Sequence, residues 1–327
     1  MPEMRMIEAV RAAIGEEMER DERVLVMGED VGRKGGVFGA TDGLYAKFGE
    51  SRVLDTPLAE SGIVGVAIGA ALNGLIPIAE IQFADFIHPA FDQIVSEAAR
   101  TRYRTAGDWS VPIVIRAPFG GGVHGGLYHS QSIEAFYAHV PGLKVVVPSL
   151  PADAHGLLKS AIRDPDPVLF LEHKKVYRLV SESVPDGDHL VPIGPAAVRR
   201  EGGNLSCLAW GLMTHYCLEA AETLSHEGVE AEVVDLRCLA PLDREAILGS
   251  VRKTGKSMVV YEDNLTGGFG AEVAAIISEH AFDSLDGPVV RVAGPDIPAM
   301  PFNGPQEEFY MPNPAKIAEA MRKLAAY

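Results

Sequence analysis

Short, uninterrupted apolar runs alternate with helix-like stretches along almost the whole chain, and this alternation constrains the fold more than any other feature. Residues 24–27, 75–82, 111–116, 143–147 and 168–171 read as strands, with helical stretches near 59–74, 85–104 and 151–163. A strand that is apolar on both sides needs cover on both faces. A parallel sheet between two layers of helix supplies it. The alternation pauses over residues 173–204, which are charged, proline-bearing and irregular, and which read as a linker with room for a short hairpin. It then resumes, with strands at 205–210, 231–236, 257–261 and 289–292. The matching helices lie near 213–227, 243–254, 268–280 and 314–325. The expectation is an α/β chain of two domains with largely parallel sheets, divided near residue 190.

Charge and composition exclude several roles. The 29 basic and 45 acidic residues leave a net charge of −16. A duplex-binding surface needs the opposite sign in clusters, so no nucleic-acid partner is expected. The acidity reads as a solubility device. No apolar run reaches the 18 or so residues of a membrane span, so none is expected. Met1-Pro2-Glu3-Met4-Arg5 lacks the basic start and apolar core of a secretory signal. Cys207, Cys217 and Cys238 are an odd number with no C-x-x-C pair. They read as buried thiols of a reducing compartment, and a cytoplasmic location follows.

Two segments carry chemistry. The helix at 59–74 contains Gly62, Gly65 and Gly69 on one face. Each glycine costs a helix about 1 kcal/mol relative to alanine, so the face needs a reason. It either packs inside the chain or presses against a partner. Glu60 stands at the start of this helix, where a solvated acid at a helix N-terminus is the simplest reading. The apolar run behind it suggests a helix buried nearly all round, which raises the case for function.

Residues 120–126 (GGGVHGG) match G-x-G-x-x-G after a strand. A dinucleotide site also needs a helix opening there and an acid on a later strand. Instead the segment runs on to Tyr128-His129-Ser130-Gln131, so it reads as a flexible active-site wall. His88, His124, His129 and His139 fit no zinc spacing. Of the four, His129 is the best proton carrier by position, although an ordinary loop histidine would look the same. The G-x-S-x-G and Walker A patterns are absent from the sequence.

In order, Gly28-Glu29-Asp30-Val31-Gly32, residues 55–62 (DTPLAESG), 79–85 (AEIQFAD), His129-Ser130-Gln131, 141–148 (PGLKVVVP) and Val234-Asp235-Leu236-Arg237 run the full length. With these segments the chain resembles the β subunit of the decarboxylating component of 2-oxo acid dehydrogenase complexes. The resemblance implies a transketolase-like, aminopyrimidine-binding domain over residues 1–190 and a transketolase C-terminal-like domain over 191–327. It implies thiamine diphosphate as cofactor, with Glu60 bonded to the aminopyrimidine ring and Leu58, Gln82 and Phe86 lining its pocket. Relatives often carry tyrosine at the Phe86 position, so a hydroxyl is lost here while the ring can still stack. His129 matches the histidine of acyl transfer to a lipoyl group. Some members hold a structural potassium ion, whose ligands by position would be Val111, Ile113, Val114, Ala161, Asp164 and Asp166.

The Gly-Asp-Gly motif that binds magnesium and diphosphate in thiamine enzymes does not occur. Magnesium shares its oxygen ligands with phosphate, so that half of the site is expected on an α subunit in an α2β2 heterotetramer. A lipoyl-bearing dihydrolipoyl acyltransferase would be the second partner, and a 2-oxo acid the substrate. Residues 125–132 and 83–93 look more like branched-chain members than pyruvate members. Phe83, Phe86 and Tyr128 could wall a branched aliphatic pocket. Pyruvate or acetoin dehydrogenase is the alternative within the class. A noncatalytic α/β binding subunit is the alternative outside it.

Overall fold

The computed structural model describes residues 2–327. Its contacts divide the chain into two units. One joins the described residues up to Phe119 with Phe136–Ile193; the other joins Gly120–Ala135 with Gly194–Tyr327.

In the first unit, strands Lys144–Val146, Val168–His173, Val114–Phe119, Ile76–Glu80, Val24–Gly28 and Val53–Asp55 lie side by side in that order, and all five pairings are parallel. Four of them are buried along almost their whole length, which is why their sequences are mostly apolar without alternation, apart from Glu80, Arg116, Glu172 and His173. Helix Met6–Arg20 lies along helix Pro151–Ile162. Fully buried Glu17 in the first helix is held by the guanidinium of Arg163, at 2.6 Å, and by Arg20 at 2.8 Å. A buried carboxylate is tolerated only with such partners. The helix expected over 85–104 is broken. It becomes the 3-10 turns Ala84–Phe86 and His88–Ala90, a π-helical stretch Gln93–Ala98 and a short α-helix Thr101–Arg104. Pro89 has no N–H to donate, so a regular helix cannot run through it. The presumed linker is also partly ordered, because Ser181–Ser183 pairs antiparallel with Glu3–Arg5.

The second unit holds strands Val290–Gly294, Ser257–Asn264, Leu205–Ala209, Ala231–Asp235 and Ala197–Arg200, in that order. The first four are parallel and the last is antiparallel. Helix Leu212–Ser225 packs on helix Pro314–Ala325. Sequence reasoning did not find helix Gly304–Tyr310. The three cysteines are buried thiols. No helix among the described residues is long and apolar enough to cross a membrane.

Candidate active site

Strand order locates a cleft in the first unit. After Val24–Gly28 the chain moves outward to Val53–Asp55, whereas after Ile76–Glu80 it moves the other way, to Val114–Phe119. These two neighbours, Val24–Gly28 and Ile76–Glu80, therefore flank a topological switch point. Ligands of open α/β sheets bind outside the carboxyl ends of such strands. The register puts Gly28 level with both Glu80 and Asp55, so the three strands end together. Glu29, Gln82 and the segment leading to Glu60 emerge at that edge.

The residues there are held from several directions. Asp55 Oδ1 accepts the N–H of Gly32 at 2.6 Å, and Gly28 O accepts the N–H of Thr56 at 2.9 Å. Gln82 Nε2 donates to Asp30 Oδ2 at 3.1 Å and to Glu29 O at 3.4 Å. Glu60 is the first residue of helix Glu60–Leu72 and is half-buried. Burial, and then the nearby charges of Asp30 and Glu60, hold the Glu29 carboxyl above the usual range. Phe86 is half-buried, edge-on to Phe83 at 5.8 Å between ring centres, while Leu58 is 72% exposed. The structure thus brings Glu60 and Gln82 to one strand edge around Glu29, which sequence reasoning quoted only as part of a motif. Among the described residues, two buried polar atoms close in sequence or space to that helix have no partner: Thr56 Oγ1 and Gln93 Oε1. Buried polar atoms are ordinarily satisfied, so Thr56 Oγ1, next to the strand ends, suits an edge that receives a polar ligand.

The helix behind Glu60 is not buried all round. Gly62, Gly65, Val66 and Gly69 are exposed, with Val66 at 62%. A Cβ at Gly69 would meet nothing within 4 Å, and one at Gly65 would meet only Gln93 at 3.9 Å. The glycine face is therefore open within this chain; its apolar character has no internal use.

Beneath the strand ends lies a buried ion cluster. Fully buried Arg116 donates from Nη1 to Glu80 Oε2 and from Nε and Nη2 to the two oxygens of Glu172, each at 2.6 Å. Tyr177 also donates to Glu172, at 2.5 Å. Burial works against the guanidinium, but the charges of Glu172 and Glu80 outweigh it and hold its pKa above the ordinary value. The Glu80 carboxyl is nevertheless raised, because burial outweighs the attraction of Arg116. Both directions hold together: Glu172 takes the guanidinium bidentately, and Glu80 shares what remains while repelled by Glu172.

The six positions Val111, Ile113, Val114, Ala161, Asp164 and Asp166 lie elsewhere in the first unit. Both Asp164 oxygens sit 2.6 Å from Lys144 Nζ, and Asp166 Oδ1 is 2.5 Å from Arg102 Nε. The carbonyls of Val111, Ile113 and Ala161 already accept N–H groups of Ile113, Val168 and Asp164. A cation there would rest on second lone pairs of carbonyls, since the carboxylates are compensated by the chain's own cations. No group of three or more His, Cys, Asp or Glu among the described residues is placed to hold a metal ion.

In the second unit the glycine-rich segment forms a closed loop, with Gly120 N donating to Gln131 O at 3.0 Å. It presents His129, half-buried, beside exposed Leu127 and Tyr128. Glu262 Oε1 accepts from Gly121 N at 2.6 Å and from Ser132 Oγ at 3.0 Å. Glu307 Oε1 accepts from Gly122 N at 2.9 Å and from His124 N at 3.2 Å, while its Oε2 takes the Nδ1–H of His124 at 2.7 Å. Under the loop, fully buried Glu134 accepts the indole N–H of Trp210 at 3.0 Å. Burial, reinforced by the charge of Asp263, pushes the Glu134 carboxyl up to about 8, and burial raises Asp263 to about 6. Sequence reasoning missed Glu262, Glu307 and Glu134. Only Glu307 had a local signal: Asn303 followed by Pro305 marks a helix start.

Comparison with known proteins agrees with this layout. Residues 2–180 match the family "Transketolase, pyrimidine binding domain" and residues 194–317 match "Transketolase, C-terminal domain". The chain is 60% identical to the 2-oxoisovalerate dehydrogenase subunit beta of Bacillus subtilis over 327 residues, all of both chains. It is 49% identical to the pyruvate dehydrogenase subunit beta of the same organism, again over all of both. Among solved structures, a split-gene transketolase described as an inactive beta4 tetramer superposes with a TM-score of 0.80 at 28% identity, covering 99% of this chain and 98% of that one. The chain therefore belongs to the family of 2-oxo acid dehydrogenase β subunits, built from a transketolase pyrimidine-binding domain and a transketolase C-terminal domain.

Proposed function

We propose that this chain is the β subunit of a branched-chain 2-oxo acid dehydrogenase. With an α subunit, in an α2β2 heterotetramer, it decarboxylates 3-methyl-2-oxobutanoate and related acids oxidatively and passes the acyl group to lipoyl groups of a dihydrolipoyl acyltransferase. Thiamine diphosphate, when bound, would supply a nucleophilic carbon that adds to the substrate ketone and a cationic thiazolium ring that takes up the electron pair left when carbon dioxide departs. The observation that carries the reading is the gathering of Glu60, Glu29 and Gln82 at the switch point of the first sheet. Full-length identity of 60% to a 2-oxoisovalerate subunit, against 49% to a pyruvate subunit, favours the branched-chain substrate.

In this reading the chain works as two domains, 1–190 and 191–327. The Glu60 carboxyl bonds to the aminopyrimidine ring and exchanges a proton with it, a task worth roughly a hundredfold or more in rate. Gln82 fixes the ring's polar edge, and Leu58 and Phe86 cover its faces. His129 gives its imidazole proton to the lipoyl sulfur released when the disulfide opens, while the other sulfur takes the acyl carbon. Magnesium and the diphosphate belong mainly to the α subunit, which covers the open glycine face of helix Glu60–Leu72. Potassium at Val111, Ile113, Val114, Ala161, Asp164 and Asp166 would be structural, and no step depends on it.

The test is turnover by the coexpressed heterotetramer. It should prefer 3-methyl-2-oxobutanoate over pyruvate; the opposite preference would favour the pyruvate reading, which the 49% identity keeps as the second choice. Glu60→Gln should lower turnover at least a hundredfold while the heterotetramer still assembles. Full activity in that variant would remove the catalytic reading and leave a binding subunit.

A further inference from the structure

The loop that carries His129 is held by more than its own turn. It makes five hydrogen bonds to two buried carboxylates, and both belong to the second unit, as the loop does. Glu262 closes on the loop near both ends, through Gly121 and Ser132. Glu307 takes the stretch between, through Gly122 and both donors of His124. Each carboxylate is nearly inaccessible to water, at 4% and 3% exposure. A carboxylate offers about four acceptor positions, so three donors converging on Glu307 use most of them. Charge-assisted bonds of this kind are shorter and stronger than neutral ones.

The carboxylates are themselves fixed. Glu262 lies in strand Ser257–Asn264 and Glu307 in helix Gly304–Tyr310. The hydroxyl of Tyr310 donates to Asn264 Oδ1 at 2.8 Å and joins the helix to the strand end. Lys316 Nζ donates to the carbonyls of Glu308, Phe309 and Met311, at 2.8, 2.6 and 2.7 Å, and so caps the C-terminal end of the helix. Strand, helix and loop thus form a closed frame.

The loop also shows that it is held against its own preference. His124 has φ of +57°, a left-handed conformation that a residue with a side chain adopts at a cost. Its backbone N–H and its ring both end on Glu307. Slack is excluded at the glycines too. A Cβ at Gly125 would lie 2.7 Å from His129 O, and one at Gly126 would lie 3.0 Å from the Phe302 side chain.

We propose that Glu307 and Glu262 are positioning residues for acyl transfer, clamping the loop so that the His129 imidazole stands in one place when the lipoyl group arrives. The proposal rests on the role given to His129 above. Proton transfer depends steeply on placement; a displacement of about 1 Å can lower a rate a hundredfold.

A double-variant cycle in the assembled heterotetramer tests it, with the free lipoyl domain as acceptor. His129→Ala, Glu307→Ala, Glu307→Gln and the pairs with His129→Ala are compared for kcat and KM of lipoyl acylation. Glu307→Ala should lower kcat at least tenfold with KM changed less than threefold. Glu307→Gln keeps the volume and part of the accepting capacity, so it should lose clearly less, and it guards against a variant that fails to fold. In the His129→Ala background both Glu307 changes should add less than twofold, because the clamp acts through His129. Independent, multiplicative losses would overturn the proposal while leaving His129 in its role. If His129→Ala itself acylates at the normal rate, the reading of His129 falls and the clamp falls with it.

Discussion

Replacing Glu134 with glutamine should make the protein more stable, and the gain should grow with pH. Glu134 is fully buried, and its carboxyl is pushed up to about 8 from an ordinary 4.5, first by burial and then by the charge of Asp263. One pKa unit corresponds to about 1.36 kcal/mol, so the shift sets an upper bound of roughly 5 kcal/mol. In the unfolded chain the group ionises near pH 4.5. In the folded chain it keeps its proton to about pH 8. Between those limits the native state binds the extra proton, so stability falls as pH rises. The penalty is absent below pH 4.5 and complete above pH 8. A glutamine at 134 cannot ionise, yet its carbonyl oxygen can still accept the Trp210 N–H that Oε1 accepts now. Urea unfolding of wild type and variant at pH 5 and pH 8.5 isolates the effect of Glu134 together with its coupling to Asp263, since titrating groups away from this pair cancel in the difference. The variant should be close to wild type at pH 5 and more stable by about 2–5 kcal/mol at pH 8.5. A difference that stays flat with pH, or that reverses sign, would refute the buried neutral carboxyl.

Arg116→Met leaves Glu80 and Glu172 buried without a counter-ion, and chemical denaturation should report a loss of about 3–5 kcal/mol. Gly69→Leu should do the opposite to the isolated chain, because its side chain enters open space and a better helix former replaces glycine, raising stability by about 1 kcal/mol. The same variant should fail to assemble with the α subunit in size-exclusion chromatography; normal assembly would show that this face is not the contact.

Much of the fold was legible because a doubly covered parallel strand has no polar face to hide. Residues 24–27 and 168–171 are apolar throughout, 205–209 carry Ser206 as their one polar side chain, and all three runs sit inside sheets. The antiparallel edge strand Ala197–Arg200 was lost in the presumed linker. It has half-exposed arginines, and only its pairing with Ala231–Asp235 makes it a strand. The stretch 85–104 was over-read as one helix because helical periodicity survives in segments that Pro89 and the π turn interrupt. Glu60 and Gln82 were singled out by the family resemblance of residues 55–62 and 79–85, not by a pattern of their own. For Glu307 only the helix start at Asn303 and Pro305 was legible, because its importance comes from a loop some 180 residues earlier in the chain. Chain order likewise gives no sign that Gly120–Ala135 groups with the second half of the molecule.

The two halves of the chemistry make opposite demands on their supports. Glu60 starts a helix whose outer face is glycine and apolar side chain, open to solvent, with Leu58 and Val66 each more than half exposed. Such a surface is costly to leave wet, so it makes sense only if another surface covers it and completes the ring pocket around Glu60. In the proposed function, such a cover would exclude water, and a proton exchanged between Glu60 and the ring would meet no competitor. On the role proposed for His129, a lipoyl group would have to come and go there, so no permanent cover could hold it. Order has to come from beneath, and two buried carboxylates bonded to the loop backbone provide that without closing the approach. On the proposed function, the buried acids bonded to the loop and the bare glycine beside Glu60 match that difference between a cofactor that stays and a substrate that leaves.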